Sequence, residues 1–110
     1  MSTPPRVLRV FFDWGHPWPL WESGSDTSAM EPQDYGFSLE LTEVLAQWEA
    51  AWEPIADFDM GETEEPPTAE QIERYERLRV EGLRGILAET PPEVVVQMRG
   101  EDAARLTPPA

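Results

Sequence analysis

Val-Leu-Arg-Val-Phe-Phe-Asp-Trp-Gly-His-Pro-Trp-Pro-Leu-Trp-Glu, residues 7 to 22, is an apolar strand that runs straight into a tryptophan-rich loop. It holds three of the five Trp, two of the four Phe and the single His of a 110-residue chain. Leu8, Val10 and Phe12 alternate with Val7, Arg9 and Phe11, the period of two that puts successive side chains on opposite faces of a strand. Apolar groups on both faces predict a largely covered strand over residues 6–13, and Arg9 marks its own face as the less buried one. Trp14-Gly15 breaks it, and Pro17 and Pro19 push His16 and Trp18 toward extended geometry, which makes a stiff aromatic loop.

Downstream, Ser38 is suited to cap a helix, because its hydroxyl can accept from the free amides of the first turn. Leu41, Val44, Leu45, Trp48, Trp52 and Ile55 follow at steps of three or four, one apolar stripe, and Pro54 predicts an end near residue 53. Residues 56–67 read as an acidic connecting loop with Phe58 and Met60 as its apolar anchors. Thr68-Ala-Glu-Gln71 is a capping box that opens a second helix, residues 68–89, with Ile72, Tyr75, Leu78, Leu83, Ile86 and Leu87 inward. Glu70 with Arg74 and Glu73 with Arg77 are spaced to pair along its exposed side. Gly82 and Gly85 cost this helix about 1 kcal/mol each relative to Ala, a loss that close helix packing or a kink explains. Thr90-Pro91-Pro92 stops it, and Val94 to Val96 with Met98 predict a second strand over residues 93–99.

The expected architecture is α+β, or small α/β. Two main strands, 6–13 and 93–99, pair in a thin sheet, parallel if the helical crossover is right-handed, with helices 38–53 and 68–89 on one face. Either a short third strand in the 20s or a dimer that extends the sheet is needed to thicken it. Residues 6–99 make a single small domain, between a tail at 1–5 and a frayed tail at 100–110.

Composition narrows function more than any motif does. The formal net charge is -14, every basic residue is Arg, and no basic residue occurs between Val10 and Glu73. Such a field repels phosphate backbones and anionic membranes and steers cationic partners inward, which argues against direct nucleic-acid or membrane binding. The absence of Cys excludes disulfides and thiolate chemistry. The N-terminus lacks the pattern of a signal peptide and no apolar run reaches the ~20 residues that span a bilayer, so a soluble, cytoplasmic protein is expected.

Three constellations invite a chemical reading. His16 with Asp13 and Glu22 has the residue types of a metal or acid-base cluster, but one His at irregular spacing supports a loop histidine instead. Asp57, Asp59, Glu62, Glu64 and Glu65 lack the spacing of a calcium loop and read as a solvated acidic segment. Trp48 and Trp52, four apart on the helix stripe, read as core, whereas Trp14, Trp18 and Trp21 form either a lid over that helix or an exposed anchor for a protein partner. No hydrolase, phosphate-binding or zinc motif is present, so we expect no enzyme, cofactor or metal.

Phe11-Phe-Asp-Trp-Gly15, Trp18-Pro-Leu-Trp-Glu22 and residues 38–49 together resemble a type of short, acidic, uncharacterised single-domain protein of high-GC bacteria, over about the first half of the chain. Small acidic proteins of this kind are similar in character to the immunity partners of bacterial toxins. The resemblance implies an acidic protein-binding module that docks a basic partner, a toxin or nuclease, and occludes it. The expected docking residues are Trp14, His16, Trp18, Trp21, Glu22, Asp57, Asp59, Glu62, Glu64 and Glu65. The alternatives are a structural or regulatory homo-oligomer, such as a homodimer joined through the thin sheet or the Trp loop, and, last, a small enzyme using His16.

Overall fold

A computed structural model describes residues 6–23 and 29–97. The expectations for residues 1–5, for 100–110 and for the end of the last strand lie outside the described residues. Strand β1 (Arg6–Val10), β2 (Leu20–Ser23), a 3-10 turn (Pro32–Tyr35), α1 (Leu39–Asp59), α2 (Ala69–Glu89) and β3 (Val94–Gln97) follow in that order. The sheet runs β2-β1-β3, with β2 antiparallel and β3 parallel to the central β1. This is the small α+β fold expected, and the third strand in the 20s is the device that thickens the sheet.

Strand β1 ends at Val10, three residues short of the predicted end, and the opposing arm explains why. Phe11 N–H donates to Pro19 O at 3.3 Å, but Pro19 and Pro17 have no amide hydrogen to return, so the ladder runs out of donors. The chain closes instead through an isolated pairing of Asp13 with His16 around Trp14-Gly15, Gly15 supplying a φ of 90°. After β2, Met30 N–H donates to Leu20 O at 2.9 Å, and the 3-10 turn brings Tyr35 and then Phe37 into the core.

The inner face of the sheet carries Leu8 and Val10 from β1, Leu20 and Glu22 from β2, and Val94 from β3, all buried. Against it pack Leu41, Leu45 and Trp48 of α1 with Leu78, Leu83 and Ile86 of α2. Burial of this apolar surface is the main term that holds the domain together. Arg9 and Val95 face the other side and are exposed, as the strand pattern required.

The helices form an antiparallel hairpin whose spacing the glycines set. A Cβ built on Gly85 would clash with Leu41 Cδ1, and one on Gly82 would lie 2.9 Å from Trp48 Cε3. The last residue of α2 also caps the first turn of α1: Glu89 accepts from Ser38 N–H at 2.6 Å and from Ser38 Oγ at 2.9 Å, placing an anion at the positive end of the α1 dipole. Ser38 Oγ in turn accepts from Leu41 N–H, and Thr68 and Gln71 form the predicted capping box. The apolar stripe of α2 is narrower than expected, since Ile72 and Leu87 are both 45% exposed. The ion pair seen on this helix joins Glu76 to Arg79, in place of the two pairs expected.

Pro54 does not end α1, which continues to Asp59. Proline inside a helix removes one backbone hydrogen bond and crowds the preceding turn, at a cost of about 3 kcal/mol. Continuing the helix buries Ala56 and partly buries Ile55, and Met60 N–H still donates to Ala56 O at 2.9 Å at its end. Gly61 N–H donates to Phe58 O and Glu62 N–H to Asp57 O, at 3.2 and 2.8 Å, the pair of bonds that closes a helix through a left-handed glycine. Gly61 has φ 79°, and a Cβ there meets nothing within 4 Å, so the cost of a side chain is one of backbone conformation alone. Gly61→Ala is therefore expected to lower stability by about 1–2 kcal/mol, read from chemical denaturation.

Candidate functional site

Extension of α1 past Pro54 brings two stretches that are far apart in sequence to one place. Trp14, from the tip of the β1-β2 connection, and Asp57, Met60 and Glu62, from the end of α1, line an open groove of about 470 Å³. Trp14 is 47% exposed and Met60 63%, and neighbouring Phe58 is 40% exposed, so the apolar part of the groove faces solvent. Phe58 does not pin the chain down as the sequence suggested.

An aromatic ladder holds Trp14 in position. The buried Trp48 meets the edge of Phe12 at 4.8 Å, Phe12 stacks on Trp52 at 5.3 Å, and Trp52 meets Trp14 at 4.9 Å. Aromatic pairs at these separations hold their rings by more than area burial alone. Trp14 N–H also donates to Asp13 Oδ1 at 2.8 Å, which fixes the backbone under the ring.

The electrostatics of the groove are one-signed. Asp57 and Glu62 line it, Asp59 stands exposed beside them, and the last turn of α1 contains no basic residue to offset the negative end of its dipole. About two turns upstream, burial together with the neighbouring Glu53 carboxylate pushes Glu49 above the ordinary carboxylate range. The α1 surface therefore holds more carboxylate than it can ionise at no cost.

The remaining expected docking residues divide sharply. Glu64 and Glu65 are exposed in the α1-α2 connection. Trp18 is half-buried against the core and lines a separate groove of about 250 Å³ with Phe37 and Leu39. Trp21 lies on the outer face of the sheet, since β2 places it opposite in phase to Leu20 and Glu22. It stacks on Phe11 at 5.2 Å and donates from Nε1 to Phe11 O at 3.0 Å. His16 packs edge-on to Trp21 at 5.0 Å and donates from Nε2 to Met30 O at 2.8 Å, a tether between the hairpin tip and the segment after β2. The three loop tryptophans thus do not act as one lid: Trp14 and Trp18 lie toward the helices, and Trp21 lies behind the sheet.

Glu22 is buried, 4% exposed, with its carboxylate committed inside the domain. Arg6 Nε donates to Oε1 and Arg6 Nη2 to Oε2, the latter at 3.1 Å, while Tyr35 Oη donates to Oε2 at 2.7 Å. These donors, the Arg6 guanidinium first, hold the Glu22 carboxyl below the ordinary carboxylate range against the opposing effect of burial. Burial and then the Glu22 carboxylate push the Tyr35 phenol well above its ordinary range. Asp13, His16 and Glu22 are therefore separated into three different hydrogen-bonding roles, and among the described residues no three His, Asp or Glu side chains converge as metal ligands.

Searches against family models, characterised proteins and solved structures find no match to this chain. No helix among the described residues is long and apolar enough to cross a membrane. The groove formed by Trp14, Asp57, Met60 and Glu62 brings exposed aromatic surface together with two carboxylates for which no ion pair is seen among the described residues.

Proposed function

We propose that this chain is an acidic binding module that docks a basic protein, and that it inhibits a toxin or nuclease by occupying that partner's cationic substrate surface. The observation that carries this reading is the exposed Trp14-Met60 groove flanked by Asp57 and Glu62, in a chain where sixteen of the 22 acidic residues and no basic residue fall between Val10 and Glu73. Exposed Trp beside charge is the chemistry of an interface anchor, and a field of one sign raises the rate at which an oppositely charged partner arrives. A surface that binds nucleic acid is basic, so an acidic module competes for it directly.

The test is inhibition. Proteins of the native host retained on the immobilised chain at about 25 mM salt, released at about 300 mM and purified, are assayed for nucleic-acid binding or cleavage with and without the chain. The proposal expects a basic protein whose activity falls to background at one equivalent of chain. A retained protein whose activity is untouched by excess chain refutes inhibition, and retention indifferent to salt refutes the electrostatic basis.

A further inference from the structure

We infer that the Trp14 groove is an arginine receptor: it seats one arginine side chain of the basic partner, the guanidinium over the Trp14 ring and its N–H groups on Asp57 and Glu62. This rests on the binding-module reading and specifies the chemistry of its anchor. Three features of the groove select the occupant. The wall is aromatic and thioether, from Trp14 and Met60, and takes the flat, weakly hydrated face of a guanidinium better than the compact, strongly hydrated ammonium of lysine. The two carboxylates come from opposite ends of the α1 terminus, Asp57 within its last turn and Glu62 just past the Gly61 turn, so a planar fork of donors can engage both. The helix terminus adds partial negative charge without a basic residue of its own.

The rest of the site is built to keep Trp14 half out. Trp52, itself stacked on Phe12, packs against the ring at 4.9 Å, and 47% of Trp14 is left to solvent. Neither His16 nor Glu22 takes part, because both are spent on internal hydrogen bonds.

Titration of the full chain with hexa-arginine and hexa-lysine peptides, followed calorimetrically at about 25 mM salt, tests this. The expected result is that hexa-arginine binds about fivefold to tenfold more tightly. Trp14→Ala abolishes that preference, and Asp57→Asn with Glu62→Gln weakens both peptides. Equal affinity for the two peptides, unchanged in Trp14→Ala, overturns the arginine receptor while leaving a generic acidic binding surface. If neither peptide binds, the binding-module reading is contradicted as well. Sedimentation of the chain and of Trp14→Ala at several concentrations covers the other occupant: a dimer that becomes a monomer in Trp14→Ala assigns the groove to a second copy and refutes the inference. Trp14→Phe, which keeps an aromatic face, is expected to retain most of the preference, and its loss together with normal melting behaviour counts against stacking.

Discussion

Glu22→Ala is expected to lower stability by about 3 kcal/mol at neutral pH. The carboxylate is almost fully buried and accepts from both Arg6 and Tyr35. Removal leaves the Tyr35 hydroxyl, itself in a residue only 6% exposed, without its acceptor, and a desolvated donor without a partner costs about 1–3 kcal/mol. The lost packing beneath β2 adds to this. Arg6 contributes less, because its side chain is 47% exposed and recovers water. Glu22→Gln keeps an oxygen for Tyr35 and is expected to cost about 1 kcal/mol.

The pH dependence has a definite sign. Since folding lowers the Glu22 pKa from its ordinary 4.5, the stabilisation it provides is present above that value and disappears as pH falls through the lower, folded-state value. Wild-type and Glu22→Gln unfolding curves should therefore differ at neutral pH and converge in acid. Curves that stay parallel down to the acid transition contradict the network. Tyr35 acts at the other end: its raised pKa means that its contribution is lost as pH rises past the ordinary tyrosine value of 10.

Gly82→Val carries the second large effect, a loss of about 3 kcal/mol by overpacking. Even a single Cβ at Gly82 approaches Trp48 Cε3 to 2.9 Å and Leu45 Cδ2 to 3.3 Å. Trp48 cannot retreat, because it is 3% exposed and Phe12 stands against it. Alanine at this position recovers about 1 kcal/mol of helix propensity, which offsets part of its own clash, whereas valine adds two methyl groups and a β-branch. The clash is assigned to Trp48 by a double-mutant cycle. Trp48→Phe removes the outer ring and also an indole N–H that is buried without an acceptor among the described residues, so the pair should be more stable than the sum of the single losses by at least about 1 kcal/mol. Strict additivity places the strain elsewhere.

Most of the fold was legible because its signals are local. The alternation of Val7 to Val10, the hydroxyl caps at Ser38 and Thr68, and the run Val94-Val-Val each require only a few neighbours to interpret. The glycines were legible in part, since close helix packing was one of the two explanations their cost allowed, and Trp48 and Leu41 stand against them. The errors arose where a partner outside the local window decided the outcome. Phe11 and Phe12 carry strong β propensity, yet the prolines across the hairpin deny them a ladder. Pro54 is a helix breaker by its own chemistry, yet the packing of Ala56 and the Gly61 closure carry α1 another turn and a half.

The site was half legible for the same reason. The Trp loop and the acidic segment were both visible, but which members meet depends on the length of α1, and that depends on Pro54 being overruled. Asp57 was assigned to a loop and belongs to the helix whose end forms the groove. Glu22 looked like one more surface carboxylate because its partners, Arg6 and Tyr35, are 16 and 13 residues away, and nothing in the local pattern marks it as buried. The available clue was phase: Glu22 lies two residues from Leu20 and so shares the inward face.

The central claim is that the groove at the end of α1 docks a basic protein. The direct measurement is retention of host proteins at about 25 mM salt on the native chain and, in parallel, on the folded Trp14→Ala, Asp57→Asn, Glu62→Gln triple variant. The account predicts that a basic protein is held by the native chain, is released by about 300 mM salt and is absent from the variant. Equal retention by both chains, or no basic protein on either, contradicts it.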